Sequence, residues 1–321
     1  MTLNNLSTDL NINPVISDFA AKITKSASKQ TYYTIRFLVD RDRVQDAYRA
    51  YAYFRWVDDQ LDCGLGIPEE KKFFLHRQQA LLEACYRKES VQVLAPEEQM
   101  LVNMVANDRE NDSGLQIYLR TMMAVMAFDV KRCGRVLSRD ELSHYSNLLS
   151  RAVTEAMFYF IGHQNPPPDH NTRYQAVFGA HVAHMLRDFI NDINVGYVNI
   201  PAEDLNSDAY QSMDIYSPSF RKWVFERVKL ARRNLLAGKQ YIAQVANLRC
   251  RLAGFAYLAR FEWMVRTIEQ DGYYLRKHYP ERKSFTAMMW MTWRVMISMF
   301  KATCLKPELR QAVDISEGCE E

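Results

Sequence analysis

Hydrophobic residues along the chain recur mostly with a period near 3.6, and alternating strand-like stretches are hard to find. The pattern predicts helices over 15–27, 29–39, 43–62, 69–87, 95–108, 115–133, 138–163, 171–193, 217–246, 249–278 and 284–303. Turn-like clusters separate them: "CGLGIPEE", "NDRENDSG", "NPPPDHN", "NVGYVNIPAEDLNSD" and "HYPERKS". None is long enough, or low enough in complexity, to be a domain linker, and no repeat of fixed period is present. The expectation is one all-α domain over 15–304, with polar tails at 1–14 and 305–321.

Two of these helices carry charge where a core helix should be apolar. In "YFRWVDDQLD", Asp58 and Asp62 stand four apart, on one helical face, while Asp59 lies about 100° round. Tyr51, Arg55, Asp58 and Asp62 form a continuous stripe, and Tyr53, Phe54, Trp56, Val57 and Leu61 leave little room for a solvated face. In "HVAHMLRDFINDINVGYVNIPAEDL", His181, His184, Asp188 and Asp192 fall within about 80° of arc, again beside an arginine, Arg187. Unpaired buried carboxylates are strongly disfavoured, so two such stripes call for a neutralising partner. Hard divalent cations serve. Mg²⁺ prefers oxygen ligands and is commonly shared with substrate phosphates, whereas no His or Cys set has the spacing of a zinc site. Arg55 and Arg187 then suit phosphate oxygens, which guanidinium groups grip bidentately.

Composition narrows the partners. Hydrophobic residues at 48% and charged residues at 25% describe an ordinary globular protein, and a net charge of +3 is too small to imply nucleic acid. Six scattered cysteines without a CxxC pair read as free thiols in a reducing, cytoplasmic setting. The N-terminus "MTLNNLSTDLNINP" shows no signal peptide. The most apolar stretch, Phe285 to Leu305, approaches membrane-spanning length, but Arg294 and Lys301 interrupt it. It reads as a buried helix, with a surface resting on a bilayer as the lesser reading, so membrane contact is at most peripheral.

The pairing of "YAYFRWVDDQLD" with "MLRDFINDINVGYVNIPAEDL", about 125 residues apart, resembles the squalene/phytoene synthase family of class I prenyltransferases. The resemblance runs from "SKQTYYTIRF" to "IEQDGYYLRKHY". It implies a helical bundle around a central cavity, with Asp58, Asp62, Asp188 and Asp192 holding Mg²⁺ on an allylic prenyl diphosphate. It also implies substrate contacts from Tyr51, Arg55, Arg187, Thr31 and Tyr32.

Departures from the family pattern bear on the reaction. His181 and His184 stand where "Q..N" is usual, as ligands, base or packing. Tyr197 and Asn199 replace the Arg and Tyr of "GRxYLP". Arg151 and Thr154 occupy the glycine positions of "AGxxG" and are expected to fill the path of a second isoprenoid tail, although Arg151 can also pair with Glu155 at i+4. These changes favour prenyl transfer to an aromatic acceptor of carbazole type, in secondary metabolism. The alternative is head-to-head condensation of two prenyl diphosphates. A non-catalytic binding or assembly factor is the third reading, disfavoured by four retained carboxylates.

Overall fold

The computed structural model describes residues 14–64, 66–205 and 214–304. The two tails, apart from Pro14, lie outside them. Eleven α-helices account for most of the described residues, which contain no β-strand: α1 (Pro14–Ala27), α2 (Lys29–Leu38), α3 (Val44–Asp59), α4 (Pro68–Tyr86), α5 (Pro96–Asn107), α6 (Gly114–Arg132), α7 (Arg139–Phe160), α8 (Gln175–Asn194), α9 (Pro218–Gln244), α10 (Leu248–Gln270) and α11 (Phe285–Cys304). Side-chain caps start many of them. The Ser113 side chain accepts from the Gln116 N–H and opens α6; Ser138 and Glu141 form a reciprocal capping box on α7.

Helices α3, α6, α7 and α8 carry the residues that matter below, and their packing is close. Helix α8 lies against α9 with almost no gap, because Gly179 and Gly238 face the partner backbone. A Cβ on Gly179 would come within 2.7 Å of the Leu235 nitrogen, and one on Gly238 within 2.2 Å of the Ala176 nitrogen. The loops after α6 and α8 are tied by a parallel bridge between Val136 and Val198. The Gly134 N–H donates to the Gly196 carbonyl at 2.8 Å beside it. Both glycines have positive φ, 72° and 90°, which lets each chain turn sharply into the bridge.

Three elements differ from the periodicity reading. Helix α3 does not continue to residue 62 as an α-helix; Gln60–Gly64 winds as a π-helical turn. Its wider i→i+5 ring moves Asp62 off the i+4 register expected from Asp58. Helix α10 stops at Gln270 and not near 278, because Gly272 and Tyr273 take left-handed φ values of 64° and 67°.

The third is α11, expected to be buried. Only Ala287, Ser298 and Ala302 are buried in it, while Phe285 and Phe300 are 70% and 71% exposed. Arg294 explains the orientation. Its guanidinium turns inward to Glu262 of α10 at 2.9 Å, and Glu262 also accepts from Lys239 of α9 at 2.9 Å. Among the described residues no helix is long and apolar enough to cross a membrane.

Candidate active site

The two acidic stripes meet. Asp58, Asp62, Asp188 and Asp192 all line one polar chamber of about 870 Å³, together with His181 and His184. A second chamber of about 620 Å³, walled largely by apolar side chains, adjoins it. Asp58, Met126 and His184 line both, so the Asp58 carboxylate stands at the mouth of an apolar pocket. Thr31, Tyr51, Arg55 and Thr154 line the apolar chamber. Tyr32 does not; it stacks on Tyr48, with ring centroids 5.4 Å apart.

Electrostatics within the polar chamber are uneven. Burial and then the neighbouring Asp62 push the Asp58 carboxyl up to about 6, against a weaker opposing pull from Arg55. Burial and then Asp188 push Asp192 to about 6 as well. Asp188 goes the other way. Burial raises it, but hydrogen bonds from Arg187 and His184 outweigh that and hold it well below the usual carboxylate range. Arg187 Nε donates to Asp188 Oδ1 at 2.7 Å, and His184 Nε2 lies 2.8 Å from Asp188 Oδ2. Arg187 thus reaches the chamber through Asp188, without lining it. Arg55 pairs mainly with Asp59, its Nε 3.1 Å from Oδ2, and reaches Asp58 at 3.4 Å. Burial pulls His181 down to about 3, so it is neutral at pH 7. Its Nδ1 lies 3.2 Å from the Ser146 hydroxyl and its ring meets Tyr145 edge-on.

Arg151 is the clear correction. It is exposed and lines neither chamber. Its expected i+4 partner Glu155 is buried and engaged elsewhere, accepting from Arg173 Nε at 2.9 Å and the Tyr174 hydroxyl at 2.8 Å. Thr154 does face the apolar chamber, and its buried hydroxyl has no hydrogen-bond partner.

Several residues of the polar chamber are absent from the candidates read in the sequence, Lys71, Lys72 and Arg135 among them. Asp129 and Arg132 come from the end of α6, Tyr145 from α7, and Asn199 is identified above only as a departure. Asp129 accepts from Arg132 Nε at 2.6 Å and from the Tyr145 hydroxyl at 3.1 Å. Arg132 Nη1 donates to Asn199 Oδ1 at 2.9 Å, and Asn199 Nδ2 donates to Asp192 Oδ2 at 2.7 Å. A signal for Asp129 was available: it is the lone acid in "TMMAVMAFDVKR", a charge on an apolar helix like those in the two acidic blocks.

The donor set fits a hard cation, being carboxylate oxygen with two groups already short of neutralising charge. No three His, Cys, Asp or Glu side chains among the described residues converge on one metal-sized position. A cation here would therefore be held by carboxylates in ones and twos, with ligand oxygens completing its shell, the mode Mg²⁺ uses with phosphates.

An all-α bundle with paired acidic helices around two joined chambers defines a class I isoprenoid synthase fold, and comparison bears this out. The squalene/phytoene synthase family profile matches residues 24–288, and the chain belongs to that family of prenyltransferase enzymes. Among solved structures, squalene synthase HpnC from Alicyclobacillus acidocaldarius is similar at 16% identity and TM-score 0.64, over 82% of this chain and 96% of that one. A dehydrosqualene synthase in complex with ligand is similar at 13% identity and TM-score 0.66, over 91% and 98%. TcSQS, in complex with the ligand BPH1237, is similar at 11% identity and TM-score 0.65, over 90% and 91%. The search of curated proteins found no match.

Proposed function

We propose that the protein is a Mg²⁺-dependent prenyltransferase of the cytoplasm, folded as one catalytic domain over 15–304, that ionises an allylic prenyl diphosphate and joins two prenyl units head to head. The observation that carries this reading is the junction of the two chambers at Asp58, Met126 and His184. It would suit a diphosphate head among carboxylates and a hydrocarbon tail among apolar walls. Mg²⁺ at Asp58, Asp62, Asp188 and Asp192 would neutralise the charge gathering on the departing diphosphate. Lys71, Lys72 and Arg135 on the same chamber wall are suited to the remaining phosphate oxygens. In the apolar chamber Phe54, Tyr118, Phe158 and Tyr257 present aromatic rings that stabilise an allylic cation. Their apolar neighbours keep water from quenching it. With Arg151 outside, no guanidinium from α7 blocks a second prenyl tail.

One observation favours transfer to an aromatic acceptor as a second reading. The unpartnered Thr154 hydroxyl points a hydrogen-bonding group into the apolar chamber, where a polar aromatic ligand would satisfy it and a hydrocarbon would not. Incubation with Mg²⁺ and prenyl diphosphates of several lengths, followed by mass analysis, decides between them. Condensed product from donor alone supports the first reading. Adduct formation only when an electron-rich polycyclic aromatic is added supports the second. No consumption of any donor would refute both.

A further inference from the structure

Asn199 presents two chemically different ends, and its job depends on which one faces Asp192. Oδ1 accepts from Arg132 Nη1 at 2.9 Å, and the amide Nδ2 donates to Asp192 Oδ2 at 2.7 Å. The reverse orientation would set a carbonyl oxygen against a carboxylate and an N–H₂ against a guanidinium, both repulsive. Arg132 and Asp192 therefore fix the amide orientation from its two ends. Arg132 is itself held on three sides. Its Nε donates to Asp129, and its guanidinium carbon lies 4.5 Å from the ring centroids of both Tyr145 and Tyr197. Asn199 and Arg132 are both buried at the chamber wall. Nη2 donates to no described side chain, and Arg132 lines the polar chamber.

We propose that Arg132 is a positioning residue. By orienting the Asn199 amide, it directs one hydrogen bond onto Asp192 Oδ2 and leaves the other oxygen of Asp192 turned to the chamber for a cation–diphosphate ligand. In doing so it ties the end of α6 to α8 across the site, so that Asp129 and Asp192 are held by one guanidinium. The resemblance pattern carries an arginine at the position of Tyr197; here the ring of Tyr197 instead packs on the guanidinium that α6 supplies. This inference rests on the proposed binding of a cation and diphosphate in the polar chamber.

The test is the affinity of the full-length protein for inorganic pyrophosphate with Mg²⁺, measured by calorimetry, alongside far-UV circular dichroism without ligand. Arg132→Met and Asn199→Asp should each weaken binding at least tenfold while leaving helicity unchanged. The double variant should bind about as well as the weaker single one, since both break the same relay. Arg132→Lys, which keeps the charge but not the fork, should fall between parent and Arg132→Met, and serves if Arg132→Met does not fold. Parent-like affinity in Arg132→Met, or losses that add in the double variant, would overturn the positioning role alone. Failure of the parent protein itself to bind Mg²⁺ and pyrophosphate would overturn the proposed function and this role with it.

Discussion

The two chambers share three residues and little else. In the polar one, several functional side chains are each engaged by another: Asp188 by Arg187 and His184, Asp192 by Asn199, Asp129 by Arg132 and Tyr145. In the apolar one the walls are residues such as Phe54, Met122, Phe158 and Ile242, and a polar atom such as the Thr154 hydroxyl is left unpartnered. One region concentrates charge and holds it in register; the other presents mainly apolar side chains and ring faces. The proposed ionisation and capture of a reactive cation need opposite surroundings, and the two chambers lie side by side.

The largest expected effect comes from breaking the polar chamber. Asp58→Asn, Asp62→Asn and Asp188→Asn should each lower turnover by about a hundredfold or more, the scale seen when a group stabilising developing charge is removed. Circular dichroism should show the helices intact. Asp59→Asn should cost less, because Asp59 is on neither chamber wall. Near-parental rates in both Asp62→Asn and Asp188→Asn would show that the carboxylates are structural.

Next in size is a pH effect confined to the same chamber. The pKa values of Asp58 and Asp192 are raised from 3.8 to about 6 on folding, so between those values the folded state holds more protons than the unfolded one. Their contribution to stability therefore falls as pH rises through that window. Thermal unfolding between pH 4.5 and 7 should show a downward slope that is smaller in Asp58→Asn and Asp192→Asn. Mg²⁺ with pyrophosphate should also reduce it. Identical slopes in parent and variants would mean that the two carboxyls are not perturbed by folding.

The apolar chamber is sharpened by Thr154→Val, which removes the unpartnered hydroxyl at nearly constant shape. Stability should rise by about 1 kcal/mol, the lower end of the cost of an unsatisfied buried polar group, read by chemical denaturation. Condensation of prenyl donors should continue unimpaired; a selective loss of aromatic prenylation would instead assign the hydroxyl to an acceptor. The smallest effect is expected at Arg151→Ala, where product and rate should stay within about twofold, as for surface substitutions in general. A change in product distribution there would place Arg151 at the chamber after all.

Arg151 and Thr154 show where sequence reading reaches its limit. Three residues apart, they differ by only about 60° around α7, and both sit at positions that the family pattern assigns to the cavity wall. A modest rotation of the helix decides which of them faces inward. The rotation is set by partners distant in sequence, with Glu155 drawn to Arg173 and Tyr174. Asp129 teaches the complementary lesson. A lone aspartate on an apolar helix marked a buried charge, but its convergence with Asp62 and Asp192 on one chamber depends on how α6 packs beside α3 and α7, and α7 beside α8.

Helix content, helix order and the placement of Asp188 and Asp192 on one helix and of Asp58 near the end of another are consequences of local periodicity, so the sequence alone determined them. A period of 3.6 repeats within a few residues and needs no distant contact to be read. The tertiary structure decided the π-helical turn at Asp62, the exposure of Arg151, the outward face of α11 and the relay from Arg132 through Asn199 to Asp192. Several of these turn on a hydrogen bond or ion pair between residues far apart in the chain. Arg132 and Asn199 are 67 positions apart, and only the packing of α6 against α7, and of α7 against α8, brings a guanidinium to an amide with the geometry that makes one end of Asn199 differ from the other.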